Sequence, residues 1–330
     1  MLCSTAYFLQ NDIKANVKTS DFGTVSILLG TYNGELYIQR QLDSIRAQTY
    51  QNWVLYVSDD GSVDRTLEII KSFARELPPG KVNILQGPHK GFAQNFLHLL
   101  KNKSIQSPYY AFCDQDDIWL EEKLNVALNA LKSTHSKANN HYQLYGSRTT
   151  LVDENEKYFG ESPLFRRGFN IENALVQSYA GGNTMVFSRG VKEIFENIND
   201  QLNIISHDWL LYIAVTALNG VIIYDDKSYI LYRQHTNNLV GSNKGFSSKL
   251  NRFKKIYSGE YKLWNKHNHE FLKMISDSIP AINAKTVSFY YERSTSPLAR
   301  AINFLKSGVY RQAKYETFVF FLMAILGKLN

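Results

Sequence analysis

Three carboxylates fall within four residues at Asp114-Gln115-Asp116-Asp117, directly after the apolar run Tyr109–Cys113. Like charges this close repel, and a hard divalent cation is a species that balances them. Mg2+ or Mn2+ takes oxygen ligands and is typically held by one or two carboxylates together with substrate phosphates. The spacing lets one carboxylate face the metal while another faces a sugar or ribose hydroxyl. Alone, the same residues also read as a solvated acidic turn that caps the next helix. A second cluster, Asp59-Asp60-Gly61-Ser62, offers acceptors for a nucleobase or ribose, or a glycine turn leading to a helix cap at Asp64. Thr31-Tyr32-Asn33 supplies a hydroxyl, an aromatic face that can stack on a base, and an amide.

The elements that carry these clusters give them a common address. Thr24–Leu29 (TVSILL) reads as a buried strand, followed by a helix over Glu35–Ala47. Trp53–Val57, Val82–Leu85 and Tyr109–Cys113 read as further strands. Helical spacing fills the gaps after Asp64, over Gly91–Lys101 and over Leu120–Leu131. This alternation predicts an α/β fold with a mostly parallel sheet and helices on both faces. Such sheets bind ligands at the carboxyl ends of their strands, where all three clusters fall, so they are expected to line one crevice. No G-x-G-x-x-G follows the first strand and no Walker A lysine motif occurs, which weakens dinucleotide and P-loop readings. Later, Met185–Phe187, Val221–Tyr224 and Tyr229–Tyr232 read as strands and Trp209–Leu218 as an apolar helix.

Composition bounds the function. The chain has 330 residues, 44% hydrophobic and 20% charged, a globular balance able to bury a large core. Two cysteines, Cys3 and Cys113, argue against a disulfide scaffold and for a reducing compartment. The net charge of +7 is unevenly placed. Residues 1–240 hold 22 Lys and Arg against 25 Asp and Glu, and residues 241–330 hold 15 against 5. A chain-wide nucleic-acid footprint is therefore disfavoured. The charge split places a boundary near Gly241, giving a lead-in over 1–23, a catalytic unit over 24–241 and a helical basic region over 242–330.

VSILLGTYNGE (Val25–Glu35), SDDGSVDRT (Ser58–Thr66) and DQDDIW (Asp114–Trp119), in that order, resemble family 2 glycosyltransferases of the GT-A fold. The nearer resemblance is to their bacterial rhamnosyltransferase-like branch. Gly181-Gly182-Asn183 with His207-Asp208-Trp209, and LYRQHTNNLVG (Leu231–Gly241), agree with it. It covers residues 24–241 and matches the basic tail only loosely. The resemblance implies a Rossmann-like mixed sheet, a dTDP- or UDP-sugar donor, Mg2+ or Mn2+, and inversion at the anomeric carbon. It further implies a lipid-linked or oligosaccharide acceptor in bacterial surface polysaccharide synthesis. Carried over by residue, it implies that Thr31, Tyr32 and Glu35 line the nucleoside pocket, with Asp60 on the base or ribose and Asp59 beside it. Asp114 and Asp116 are the outer residues of the DxD motif, Asp114 toward ribose or sugar and Asp116 toward the metal, with Asp117 a second metal candidate. Asp208 takes the place of the family's catalytic base, and His207 replaces the glutamate that ordinarily precedes it. His235 matches a histidine that contacts the metal or the diphosphate, and Arg233 can support the diphosphate.

The tail carries Lys249, Arg252, Lys254 and Lys255, then Arg300, Lys306, Arg311 and Lys314 ahead of the apolar run Phe318–Leu326. That run is too short to span a bilayer, which takes roughly 20 residues. Basic residues beside apolar ones suit an anionic membrane surface, or else a helical subdomain with the run in its core. No basic n-region followed by an apolar h-region opens the chain, so the expected location is cytoplasmic and peripheral on the inner face of the membrane. Nucleotidyl transfer, and a non-enzymatic membrane- or glycan-binding module with a degenerate site, are the competing functions.

Overall fold

The computed structural model describes residues 22–134, 141–199, 201–235 and 260–329. The lead-in before Phe22 with Cys3, the boundary at Gly241, and Lys249, Arg252, Lys254 and Lys255 lie outside the described residues. The first half alternates as its periodicity predicts: β1 (Val25–Thr31), α1 (Ile38–Arg46), β2 (Trp53–Asp59), α2 (Thr66–Arg75), β3 (Val82–Gln86), α3 (Phe92–Lys101) and β4 (Tyr109–Cys113). Val25, Ile27, Leu28 and Leu29 of β1 are completely buried, because helices cover both faces of the sheet. Then come β5 (Ile118–Trp119), α4 (Lys123–Ser133), β6 (Gln143–Val152), β7 (Tyr158–Glu161), α5 (Ile171–Ala174), β8 (Val186–Ser188), α6 (Arg189–Phe195), α7 (His207–Ala217) and β9 (Val221–Arg233).

The strands form one mixed sheet in the order β3-β2-β1-β4-β8-β6-β9-β5, with β7 on β6. β1 pairs in parallel with both β2 and β4, so the chain order reverses at β1 and a crevice opens there. The register aligns Thr31 with Asp59 and Leu29 with Cys113, which brings the three polar clusters to one edge.

Three features depart from the sequence reading. β9 is one continuous strand, where two short ones were expected. Its polar stretch Asp225-Asp226-Lys227 is absorbed by register shifts against β6 between Ser147 and Thr150. β6 itself was not anticipated, because Ser147, Arg148, Thr149 and Thr150 interrupt its apolar pattern although most of the strand is buried. The helix cap is also displaced: α2 starts at Thr66 after Arg65, while the Asp64 carboxylate accepts from the Thr66 and Glu35 amides.

Four helices follow among the described residues: α8 (Glu260–Met274), α9 (Ala281–Tyr291), α10 (Pro297–Ser307) and α11 (Lys314–Ile325). They bury Tyr261, Phe271, Tyr290, Phe304 and Phe320 in the same apolar core as Leu28, Phe112 and most of α7. The Phe195 and Phe271 rings stack 5.5 Å apart across that contact. Of the run Phe318–Leu326, Phe320 points into this core while Phe318, Leu322 and Leu326 stay exposed. No described helix is long and apolar enough to cross a membrane.

Candidate active site

The loops after β1, β2 and β4 are bonded to one another. Thr31 Oγ1 donates to Asp59 Oδ2 at 2.8 Å. Asp59 also accepts from the Gly61 and Ser62 amides and the Ser62 hydroxyl, so its carboxylate closes the turn on itself. Asp60, buried beside it, accepts from the Lys90 and Gly91 amides and fixes the entry to α3. Glu35 is exposed at the rim, and its Oε2 takes the Arg65 amide at 3.0 Å. Tyr32 keeps an exposed ring while its backbone is held on both sides by Gln115: the Tyr32 amide donates to Oε1, and Nε2 donates to the Tyr32 carbonyl, each at 2.9 Å. Gly34 lets the Gln115 amide come this close, since a Cβ there would push it aside. Of the expected nucleoside residues, Tyr32 and Glu35 are exposed at the rim, while Thr31, Asp59 and Asp60 are buried beneath it and hold the loops together.

The acidic loop divides its carboxylates. Asp114 and Asp116 are partly exposed in the crevice, whereas Asp117 is completely buried. Burial, and then the Asp116 and Asp208 charges, push the Asp114 carboxyl up to about 8. Asp117 corrects an expectation. Its Oδ2 accepts from Asn183 Nδ2 at 2.5 Å beneath the loop, so it is not presented beside Asp116 as a second metal ligand. Burial first, then Asp116 and Asp114, push its carboxyl well above the usual range. Through the Asn183 bond Asp117 anchors the acidic loop to the Gly181-Gly182-Asn183 turn.

The N-terminus of α7 carries His207 and Asp208. Asp208 Oδ1 accepts from the Trp209 amide at 2.6 Å and from the Ser206 hydroxyl. Burial pushes its carboxyl up to about 6, with the Trp209 and Gly182 amides pulling the other way. His207 turns inward, stacked on Phe96 with ring centroids 3.9 Å apart and edge-on to Phe112 at 4.6 Å. Burial holds its imidazole down to about 3, so it is neutral at working pH. Gly182 packs against it so closely that a Cβ would strike Nε2. His207 thus places a neutral aromatic wall next to Asp208 in the chain.

A half-buried carboxylate raised toward neutrality, facing an acidic loop at a sheet switch point, is a site built for proton transfer near a phosphorylated ligand. Comparison with known proteins identifies the chemistry. The family model for glycosyl transferase family 2 matches residues 26–195. The chain belongs to that family.

It is a glycosyltransferase, and nucleotidyl transfer and the non-enzymatic alternative give way to that. A dTDP-rhamnosyl transferase, RfbG of Shigella flexneri, is 33% identical over 68% of this chain and 77% of its own length. A UDP-Glc:alpha-D-GlcNAc-diphosphoundecaprenol beta-1,3-glucosyltransferase of Escherichia coli, WfgD, is 32% identical over 38% of this chain and 49% of its own. Among solved structures, S. aureus TarS 1–349 in complex with UDP-GlcNAc superimposes with a TM-score of 0.52 at 16% identity, covering 92% of this chain and 81% of that one. That likeness is one of fold, the GT-A arrangement expected from the motifs.

In this family 2 glycosyltransferase the far end of β9 closes the site. His235 Nε2 lies 2.9 Å from Asp116 Oδ2, and the His235 ring stacks on Tyr37 at 4.8 Å. Arg233 corrects a second expectation. Its guanidinium is buried and donates to the Asp116 carbonyl, the Glu154 carbonyl and Glu156 Oε1, so it braces the acidic loop rather than facing a diphosphate. Glu156 is itself held by Arg40 through two bonds of 3.0 Å. Among the described residues no three His, Cys, Asp or Glu side chains converge on one point. Asp116 with His235, and Asp114 nearby, fit instead a Mg2+ or Mn2+ whose remaining ligands come from a substrate and water.

Sequence reasoning missed Gln115, Tyr37, Glu156 and Lys123. Gln115 is the middle residue of the DxD motif, and its amide was the available signal. Lys123 is buried under the loop with Nζ 3.7 Å over the Trp119 ring, and burial pushes it down to about 7. No pattern marks a lysine in a first helical turn as buried, because its burial depends on tertiary packing.

Proposed function

We propose that this enzyme is an inverting, metal-dependent glycosyltransferase that moves rhamnose from dTDP-rhamnose to a lipid-linked glycan acceptor of a bacterial surface polysaccharide. The observation that carries this reading is the Asp208 carboxylate, raised to about 6 at the start of α7 and electrostatically coupled to Asp114 across the crevice. Asp208 accepts the proton of the acceptor hydroxyl as it attacks the anomeric carbon. Asp114 binds donor hydroxyls, and the Tyr32 ring offers a face for the base. Arg233 and Gln115 hold the acidic loop in register with the nucleoside rim. Asp116 and His235 would hold Mg2+ or Mn2+, which when bound would stabilise the charge that builds on the leaving diphosphate. Binding donor and acceptor in line supplies much of the remaining rate, and one displacement inverts the anomeric centre without a covalent intermediate. The dTDP-rhamnosyl transferase relative favours the donor named here, and the WfgD relative, whose acceptor is a diphosphoundecaprenol lipid, favours the acceptor class.

The test is a panel of sugar nucleotides with Mn2+ or Mg2+, read by thermal shift and by release of nucleoside diphosphate. Asp208→Asn should abolish release on acceptor addition while leaving the donor-induced shift intact. Full activity in that variant would remove Asp208 from the mechanism.

A further inference from the structure

The helices α10 and α11 present an apolar surface that the fold does not use. Leu298, Ile302 and Leu305 recur on α10 at steps of four and three residues, with 71%, 41% and 68% of their surface exposed. Tyr315, Phe318 and Leu322 recur on α11, followed by Leu326, all exposed. Such spacing puts each set on one side of its helix, while Phe320 turns into the core. The two sides meet in a groove of about 380 Å³ lined by Phe304, Leu305, Phe318 and Phe321, with Lys314 and Arg167 at its margin. Exposed apolar surface this continuous is costly in water and marks a docking face.

Charge decides what docks. Residues 297–329 hold five Lys and Arg and a single acid, Glu316. Glu316 is neutralised by Arg311, 2.9 Å away, and α10 carries no acid. Arg300 and Arg311, counted with the basic tail, are turned inward: Arg300 donates to the Ile325 carbonyl and Arg311 to the Val176 carbonyl. Lys306 and Lys314 remain exposed beside the apolar face. A second copy of the chain would bring the same cations against themselves, whereas an anionic lipid surface offers acyl chains for the groove and phosphates for the lysines.

We propose that the α10–α11 hairpin is the element that seats this enzyme on an anionic lipid bilayer, with Leu298, Leu305, Phe318 and Leu326 entering the interface and Lys306 and Lys314 at headgroup level. The hairpin is rigidly tied to the catalytic crevice. Its turn is clamped to residues 167–177 through Asn173 Nδ2 on the Tyr310 carbonyl and the Gln312 amide on Gln177 Oε1, both at 2.9 Å. The same segment receives Trp209 Nε1 on the Ala174 carbonyl at 2.7 Å, one residue from Asp208. Docking therefore sets the height of the base above the lipid. That last consequence rests on the lipid-linked acceptor reading; the docking itself does not.

The experiment is co-sedimentation of the full chain, without donor, with vesicles of phosphatidylglycerol in phosphatidylcholine and with phosphatidylcholine alone. The parent should pellet with the anionic vesicles, and the double variant Leu305→Glu/Phe318→Glu should bind at least about tenfold more weakly. Lys306→Glu/Lys314→Glu should lose the preference for anionic lipid. Phe318→Trp, a mild change that keeps the fold, should give fluorescence quenched by brominated lipid. UDP- and dTDP-induced thermal shifts with Mn2+ should be the same in every variant, which separates docking from the donor site. Equal sedimentation of parent and Leu305→Glu/Phe318→Glu, or no quenching with Phe318→Trp, would overturn the proposal. So would a dimer in light scattering that the double variant dissolves while the parent binds no vesicles.

Discussion

His235 and Asp116 are 119 residues apart in the chain, yet the imidazole Nε2 lies 2.9 Å from the carboxylate Oδ2. The contact joins the end of β9 to the acidic loop after β4, two strands that are not neighbours in the sheet. Asp116→Ala is expected to abolish metal-dependent turnover. His235→Ala should weaken it by about 10- to 100-fold, the usual effect of losing a residue that orients or completes a metal site. Titration of Mn2+ against thermal stability in the presence of UDP or dTDP measures both, and an unchanged metal response in Asp116→Ala would refute the assignment.

As the proposed base, Asp208 is expected to set the acid limb of the rate profile. Its folded value of about 6 means the base loses its ionised form as pH falls through 6, so kcat/KM should drop tenfold per pH unit below that point. Burial raises it and the Trp209 and Gly182 amides pull it back, while the Asp208 charge in turn raises Asp114 and Tyr179. His207→Glu restores a second carboxylate beside it and should move the limb upward by about one unit. A profile identical to the parent's would show that residue 207 does not tune the base.

The same shift has a stability consequence of definite sign. A carboxyl whose folded value is raised favours the fold while protonated. That contribution is complete below its ordinary value near 4 and is lost as pH rises through about 6. Asp208→Asn should therefore be more stable than the parent at pH 8 by up to about 3 kcal/mol, discounted for the partial exposure of the group. Urea denaturation at pH 8 and pH 4.5 distinguishes the cases: the difference should shrink at the lower pH.

Gly182 and His207 form a tight pair without a hydrogen bond. Gly182→Ala should push the imidazole off Phe96 and cost about 1–3 kcal/mol, the usual range for overpacking. In Gly182→Ala/His207→Ala the collision disappears, so the two effects should be markedly non-additive. Chemical denaturation of the four proteins completes the cycle, and simple additivity would contradict the packing described.

The sequence by itself determined the first half of the fold and the family. Apolar runs such as Val25–Leu29 and Tyr109–Cys113 are contiguous and bounded by turn residues, so local periodicity is enough to place β1 and β4 and the loops that follow them. It also placed Asp114, Asp116 and Asp208 at strand and helix ends, where polar groups can reach a ligand. Tertiary structure alone decided which carboxylates face the crevice. Asp116 and Asp117 are adjacent in sequence, but alternation across a single peptide turns one toward His235 and buries the other against Asn183. β6 was hidden because its polar residues are satisfied across strands, a pairing that periodicity cannot register. The same holds for the positive tail. Its charge was countable from the sequence, but which arginines turn inward depends on tertiary partners, as Arg300 on Ile325 and Arg311 on Val176 show. Local pattern fixes elements. Burial, and the charge each side chain can keep, is fixed by contacts distant in the chain.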